Sequence, residues 1–363
     1  MKLQVTRENL NRALNSVAKV ANSRGTLPIL ANVLIRTSQN RLSLSATNLD
    51  IAITHFIGAK VSTEGSITVP ARLTQDFVGS LPDGVINIEL KDTKLHINTD
   101  QYQSVINGIL ADDFPVMPAI EGGNKWKVDG VTFKRALQQI GFAASNDETR
   151  PVLTGVLLQT IDGKLHMAAT DSYRLAEKQL GPQKQDIKLL VPASAMHDLL
   201  RTLGDDEADI NITHDDQQAL FKAGDVELVT RLIDGKYPDY QRLIPSSFAT
   251  TASLKKADLV SVTKVSSLFA RESAGSVTIE LDEAKQQLSI RSAASQLGEN
   301  NATAPAKVIG NGNITLNSRY LLDALSVMLG DGVVFSFNGK LEPTLLQSPG
   351  DPDYKHIIMP LKS

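Results

Sequence analysis

The sequence predicts an α+β fold in which one domain is written three times, each copy two helices against antiparallel sheets. Three recurrences carry that prediction. Apolar alternation returns at Leu42-Ser43-Leu44, Leu165-His166-Met167 and Leu288-Ser289-Ile290, in two equal steps of 123 residues. A helix stop, Leu81-Pro82-Asp83-Gly84, returns as Leu203-Gly204-Asp205-Asp206 and Leu329-Gly330-Asp331-Gly332. Asp113-Phe114-Pro115 returns as Lys236-Tyr237-Pro238. Solenoid units repeat every ~20–50 residues, so a period this long marks a whole domain. The 363 residues then divide into domains at 1–121, 124–245 and 247–363. Turn-forming linkers lie near Glu121-Gly122-Gly123-Asn124 and Pro245-Ser246-Ser247. A chain of equal domains tends to curve into an arc or ring.

Each copy opens on an amphipathic helix. Leu10, Ala13, Leu14, Val17 and Ala18 keep helical spacing after a capping Thr6. Phe133, Ala136, Leu137, Ile140 and Ala144 share a face after Thr132, and Leu259, Val262, Val265 and Phe269 do so after Asp258. Strand alternation follows over 42–53, 156–167 and 277–290. A second helix starts at Val69-Pro70-Ala71, Val191-Pro192-Ala193 and Leu316-Asn317-Ser318, with proline favoured just inside such a start. Its apolar stripe is Met196, Leu199, Leu200 and Leu203 in the second copy, and Leu321, Leu322, Leu325 and Met328 in the third. More strands close each copy, at 86–90, 210–212 and 333–337.

Composition bounds the function. No apolar run approaches the ~18 residues of a membrane span, and the start, Met1 to Glu8, has no apolar core of a secretory signal. With 0 cysteines there are no disulfides, thiolate nucleophiles or zinc fingers. The expected compartment is the cytoplasm. A net charge of −3 argues against coating nucleic acid by bulk charge, yet leaves room for a local basic surface.

That surface is sought on the helices. Their polar sides carry Arg7, Arg12, Lys19, Arg72, Lys134, Arg135, Arg201, Lys255, Lys256, Lys264 and Arg319, against fewer acids. For any one helix this is an ordinary solvated face. Six equivalent helices lining an arc would instead make a basic passage for a polyanion, gripped through its phosphates without base readout.

Catalytic signatures are absent. The six histidines show no metal-ligand spacing, and neither phosphate-loop glycine motif nor nucleophile elbow occurs. Asp205-Asp206-Glu207 resembles a metal-binding cluster but occupies the turn that ends a helix in every copy. No cofactor or metal is expected, and a hydrolase built on Asp171 or the Asp205 turn has no support beyond those carboxylates.

Four longer motifs go further. They are Arg24-Gly25-Thr26-Leu27-Pro28-Ile29-Leu30, Ala169-Thr170-Asp171-Ser172-Tyr173-Arg174-Leu175-Ala176, Asp234-Gly235-Lys236-Tyr237-Pro238-Asp239-Tyr240 and Ile358-Met359-Pro360. Through them, in order and along its full length, the chain resembles the bacterial DNA polymerase III beta subunit family, the sliding clamps. The resemblance implies three clamp domains per chain and a head-to-tail homodimer forming a six-domain ring around double-stranded DNA, without sequence preference. It implies no catalysis; a separate ATP-dependent clamp loader opens the ring. It also implies that the polymerase III catalytic subunit, the clamp loader and other proteins with a clamp-binding motif dock by short peptides in one cleft.

For that cleft the resemblance picks out Leu153, Thr170, Tyr173, Arg174, Leu175, Pro238, Arg242 and Leu243, with Pro343, Met359, Pro360 and Leu361. Leucine, proline and methionine make an adaptable apolar pocket, with Arg174 and Arg242 offering rim hydrogen bonds. Without the resemblance, the favoured reading is that Arg174 and Leu175 merely continue a strand. The DNA contacts implied are Arg24, Arg72 and Arg150, joined by Lys134 and Arg201 from the basic helix faces. The subunit seam is expected to pair edge strands through Ser104 and Ile106 on one side and Leu268 and Phe269 on the other. The chain departs from some members at Ser104, Pro151, Val152, Ala193 and Ser194. A competing reading is a cytoplasmic three-domain adaptor that binds peptides and never encircles DNA.

Overall fold

The structure, a computed structural model, describes residues 1–21, 27–120, 122–205, 209–294 and 298–361. Arg24, with Gly25 and Thr26 of the first motif, lies outside the described residues, as do Glu121, Asp206 and Glu207. Six α-helices are described: α1 (Arg7–Val17), α2 (Ala71–Ser80), α3 (Gly130–Ile140), α4 (Ala193–Thr202), α5 (Lys256–Phe269) and α6 (Ser318–Val327). They fall two to a repeat. The fold divides into two compact units, Met1–Lys134 with Ser194–Leu232, and Arg135–Ala193 with Ile233–Ser363.

The first unit holds two antiparallel sheets. One runs Lys60–Thr63, Lys2–Thr6, Val85–Lys91, Lys94–Asn98, Gln103–Asn107. The other has eight strands, in the order Asn124–Val128, Ile210–His214, Gln218–Ala223, Val226–Arg231, Ile51–Gly58, Arg41–Thr47, Asn32–Ser38, Ser66–Pro70. Its centre explains why this unit crosses a repeat boundary. Val226–Arg231 of the second repeat pairs with Ile51–Gly58 of the first, Thr230 opposite Ile51 and Val226 opposite His55. Ladder hydrogen bonds satisfy main-chain groups that would otherwise stand open at a sheet edge.

The second unit repeats the device. Its nine-stranded sheet joins Arg174–Pro182 of the second repeat to Asp351–Ile358 of the third, with Arg174 opposite Ile358 and Lys178 opposite Tyr354. A four-stranded sheet runs Gly298–Pro305, Gln287–Ala294, Ser276–Asp282, Gly312–Asn317.

Local chemistry accounts for the helices, with corrections to their boundaries. Thr6 caps α1 by accepting from Asn9 N–H at 3.4 Å, and Leu10, Ala13, Leu14 and Val17 are buried as the spacing predicts. α3 starts earlier than Thr132: Asp129 precedes it and accepts from the Thr132 N–H at 2.8 Å, while Ala144 lies beyond the helix. Pro70 and Pro192 are the last residues of edge strands rather than the first of helices, a place that needs no ladder N–H. In the third copy Asn317 caps α6 instead, accepting from Arg319 and Tyr320 N–H.

The predicted stripe of α5 is rotated. Its buried residues are Leu259, Thr263 and Ser266, while Val265 and Leu268 are exposed. Hydroxyls make that face tolerable: Thr263 donates to the Leu259 carbonyl at 2.6 Å, and Ser266 accepts from Asn300 at 2.9 Å. Small side chains let the helix lie close on strands 287–305. Each long alternation predicted as one strand is a hairpin, with turns at Asn48–Asp50, Asp162–Gly163 and Glu283–Gln286.

Candidate functional site

The residues assigned to the cleft all lie in the second unit, around the ladder that joins its two repeats. Leu175 is buried in a cluster with Leu157, Ala168, Leu190, Tyr237, Tyr240, Leu345 and Ile357. Val152, Ile244, Phe248 and Met359 pack on this cluster but keep part of their surface open. Leu153 is buried, whereas Tyr173 (58%) and Leu243 (41%) are exposed. Pro238 and Arg242 are exposed too, and Pro343, Met359, Pro360 and Leu361 are half-buried. The result is apolar surface left open around a packed floor, the kind of patch that marks an interaction site.

The loop before Arg174 is held tightly. Thr170 Oγ1 donates to the Arg174 carbonyl at 2.6 Å and accepts from Ser172 N–H at 3.1 Å. Asp171 Oδ1 accepts from the Tyr173 and Arg174 N–H groups, each at 2.9 Å. Ser172 takes a left-handed conformation, φ 77°, which only a constrained turn imposes on a residue with a Cβ. Met359 N–H donates to the Tyr173 carbonyl of this loop at 2.8 Å, and Leu361 N–H to the Thr315 carbonyl on the strand Gly312–Asn317 at 2.8 Å.

Arg174 is anchored from below by partners the sequence did not mark. Its guanidinium donates to Asp171 Oδ2 at 3.1 Å, Asp323 Oδ2 at 2.7 Å and the Phe142 carbonyl at 2.8 Å. It also lies over the Phe142 and Tyr320 rings, 5.1 and 4.6 Å from their centroids. Three of its five N–H donors are engaged and its plane is fixed between two rings, which holds the guanidinium in place. These contacts brace the loop that precedes it. Arg242 is exposed and pairs with Asp239, three residues earlier, at 2.7 Å.

Two buried networks stiffen the floor. Glu177 contacts His166 Nδ1 and Tyr240 Oη, each at 3.0 Å, with Lys355 at 3.8 Å. Burial alone would raise its carboxyl, but His166, Lys355 and Tyr240 outweigh it and hold it below the usual range. His356, fully enclosed, stacks on Phe142 at 5.6 Å with Tyr354 Oη 3.1 Å from Nδ1. Burial, then the charge of Arg174, pushes its pKa down to about 3. It is a neutral core side chain.

The five proposed DNA contacts separate into different classes. Arg24 is outside the described residues. Arg72 on α2 is exposed, with no ion pair among the described residues. Arg150 is exposed beside Asp147 at 3.4 Å and donates to Ser172 Oγ at 3.0 Å. Lys134 is spoken for: mostly buried, it pairs with Asp205 at 2.7 Å, at the turn after α4. Arg201 pairs with Asp198 at 2.6 Å but stays half-exposed. With Arg12, Lys19 and His55 it lines a cavity of about 520 Å³ between α1 and α4.

Two further cations are engaged as well, by a different contact. Arg7, which opens α1, donates to the Gly79 and Val78 carbonyls at the end of α2. Lys256, which opens α5, donates to the Met328 carbonyl after α6 at 2.7 Å. Cations there satisfy orphan carbonyls and favour the negative end of the helix dipole. Arg7, Lys134 and Lys256 therefore leave the basic face and join the scaffold.

Of the seam residues, Ser104 and Ile106 lie on Gln103–Asn107, an edge strand of the first unit, with Ile106 buried. Leu268 and Phe269 are not on a strand. They end α5, which packs against the four-stranded sheet's edge strand, Gly298–Pro305. That edge strand escaped sequence reading because Gly298-Glu299-Asn300-Asn301 has no apolar alternation. Among the described residues no helix is long and apolar enough to cross a membrane, and no acidic or histidine group is placed to hold a metal ion.

Comparison with known proteins follows the same three divisions. The N-terminal, central and C-terminal domains of the DNA polymerase III beta subunit match residues 1–118, 127–239 and 241–362. The beta sliding clamp of Synechococcus elongatus is 32% identical over 100% of this chain and 99% of its own. The sliding clamp structure from Bacillus subtilis is 30% identical, with a TM-score of 0.93 over 100% of this chain and 99% of that one. A Pseudomonas aeruginosa clamp bound to griselimycin is 26% identical, with a TM-score of 0.94 over 100% of both chains. The three repeats read in the sequence are three clamp domains, and the chain belongs to the DNA polymerase III beta subunit family, the sliding clamps that serve replication as non-catalytic processivity subunits.

Proposed function

We propose that two copies of this chain close head to tail into a ring around duplex DNA and tether client proteins at the cleft. One observation carries the reading. Both junctions between repeats use the same ladder, Val226–Arg231 on Ile51–Gly58 and Asp351–Ile358 on Arg174–Pro182. One strand of each kind is left over at a sheet edge: Gln103–Asn107 from the first repeat and Gly298–Pro305 from the third. Such edges are templates for pairing, and a head-to-tail contact between them closes a ring when its rotation closes. Ser104 and Ile106 then meet the edge strand covered by Leu268 and Phe269. Domains at 1–121, 124–245 and 247–363 give six around the ring.

A closed ring stays on DNA by topology and needs only weak phosphate contacts. Arg24, Arg72, Arg150 and Arg201 supply them, through charge and without base readout. Polymerase III catalytic subunit, clamp loader and other peptide-bearing clients dock at Leu153, Thr170, Tyr173, Leu175, Pro238, Arg242, Leu243, Pro343, Met359, Pro360 and Leu361. Tethering holds the polymerase near the primer end at high effective concentration. The work is done in the cytoplasm, on chromosomal DNA.

The test is retention on DNA. Protein loaded on a nicked circle stays bound in high salt and leaves once the circle is cut. Equal loss from circular and linear DNA would favour a peptide-binding adaptor that never encircles its substrate.

A further inference from the structure

The loop that shapes the cleft is built a second time, in the first unit, one repeat earlier. Thr47, Asn48, Leu49, Asp50 and Pro115 stand 123 residues before Thr170, Asp171, Ser172, Tyr173 and Pro238. The hydrogen bonds agree one for one. Thr47 Oγ1 donates to the Ile51 carbonyl at 2.9 Å and accepts from Leu49 N–H at 3.0 Å. Asn48 Oδ1 accepts from the Asp50 and Ile51 N–H groups at 3.1 and 2.8 Å. Leu49 takes φ 79°, against 77° for Ser172. Arg231 N–H donates to the Asp50 carbonyl at 3.1 Å, as Met359 does to Tyr173.

The geometry points to a second peptide-docking site here, for an extended segment with one apolar anchor between an acidic and a basic residue. Leu49, Asp50, Pro115, Val116, Gln218 and Arg231 line a cavity of about 280 Å³. Pockets for whole small ligands run from ~300 Å³ upward, so this one suits a single anchoring side chain. Val116 is 95% exposed and Leu49 50%, leaving an apolar mouth in water. Gln218 Oε1 is buried with no hydrogen-bond partner among the described residues, an unmet acceptor in the pocket wall. The ladder puts Gln218 opposite Arg231, in the register where the cleft has Pro343 near Met359.

Side chains differ where the main chain agrees, and those differences set the occupant. Asp50 replaces the aromatic Tyr173 and Arg231 replaces Met359. Both charges are exposed and in no ion pair among the described residues. They call for opposite charges flanking the anchor, so this site and the cleft select different segments. Exchanging exposed charge for apolar area lowers affinity and raises selectivity. The inference rests on the proposed use of the cleft, since the shared main-chain frame is what recommends a peptide.

The probe is the hexapeptide acetyl-Lys-Ala-Leu-Phe-Ala-Asp-amide, titrated into the full chain labelled at leucine and valine methyls. Leu49, Val116 and Val229 are expected to shift with one saturation curve, and Leu175 and Leu243 with another. Removing residues from Met359 onward abolishes only the second curve. Val116→Glu, at a fully solvated position that does not threaten folding, abolishes only the first. Movement of Leu175 and Leu243 alone overturns the second site and keeps the cleft. Movement of Leu49 and Val116 alone keeps the second site and refutes the cleft for this peptide. No movement at either overturns the second site. Shifts at Leu49 and Val116 that follow protein concentration and ignore the peptide would mean a second copy covers the pocket, and would overturn the proposal.

Discussion

The main-chain N–H of Met359 donates to the carbonyl of Tyr173 at 2.8 Å, which binds the end of the chain to the most exposed aromatic of the cleft. Removing Met359 onward cuts that tie and takes away Met359, Pro360 and Leu361 together. Client-peptide binding should fall below detection by fluorescence anisotropy. The sedimentation coefficient should stay that of the full chain, because neither free edge strand is touched.

Arg174 should matter for stability more than for peptide chemistry. Breaking a buried, hydrogen-bonded charge pair costs about 3–5 kcal/mol, since its partner is left uncompensated. Arg174 keeps 12% and Asp323 36% of its side-chain surface in solvent, so Arg174→Ala is expected to cost less than that, about 2 kcal/mol, in urea unfolding of the full chain. Arg174→Lys should recover less than half, because a point charge cannot reach Asp171, Asp323 and the Phe142 carbonyl at once.

His356 sets a pH dependence with a definite sign. Its folded pKa is about 3, against 6.5 for the free side chain, so the unfolded state binds the extra proton between those values. Its contribution is complete above pH 6.5 and is lost as pH falls toward 3. From pH 7 to 5 this one group should remove about 2 kcal/mol of stability. In an NMR titration its ring signals should stay constant from pH 8 to 5. A midpoint near the free value would refute the neutral buried state.

The basic residues should split into two groups. Arg72→Ala and Arg201→Ala are expected to weaken DNA binding and to lower the salt slope by about 0.9 for each phosphate no longer neutralised. Arg7→Ala and Lys134→Ala should leave that slope unchanged, because these side chains end on α2 carbonyls and on Asp205. Their effect belongs in thermal unfolding.

Much of the fold was legible because helices, stops and turns recur at one interval. Leu10, Leu14 and Val17 announce α1 through spacing alone. Misreadings came where packing overrode pattern. α5 buries Thr263 and Ser266 because hydroxyls bonded to main chain and to Asn300 fit a close approach. The strand Gly298–Pro305 carries no apolar alternation, and only its ladder with Gln287–Ala294 reveals it. The proposed cleft rests on motif, and the contacts of Arg174 were not legible at all. Its partners Phe142, Tyr320 and Asp323 lie far off in sequence, and nothing local marks them.

The absence of cysteine permits a direct test of closure. Val105→Cys and Asn301→Cys put one thiol on each free edge strand, at exposed positions. A flexible bis-maleimide is added to protein already loaded on a nicked circle, and the sample is denatured in SDS. The account predicts protein still linked to the circle, as a covalent ring of two chains released only when the DNA is cut. Efficient cross-linking with every chain lost from the circle in SDS would contradict it.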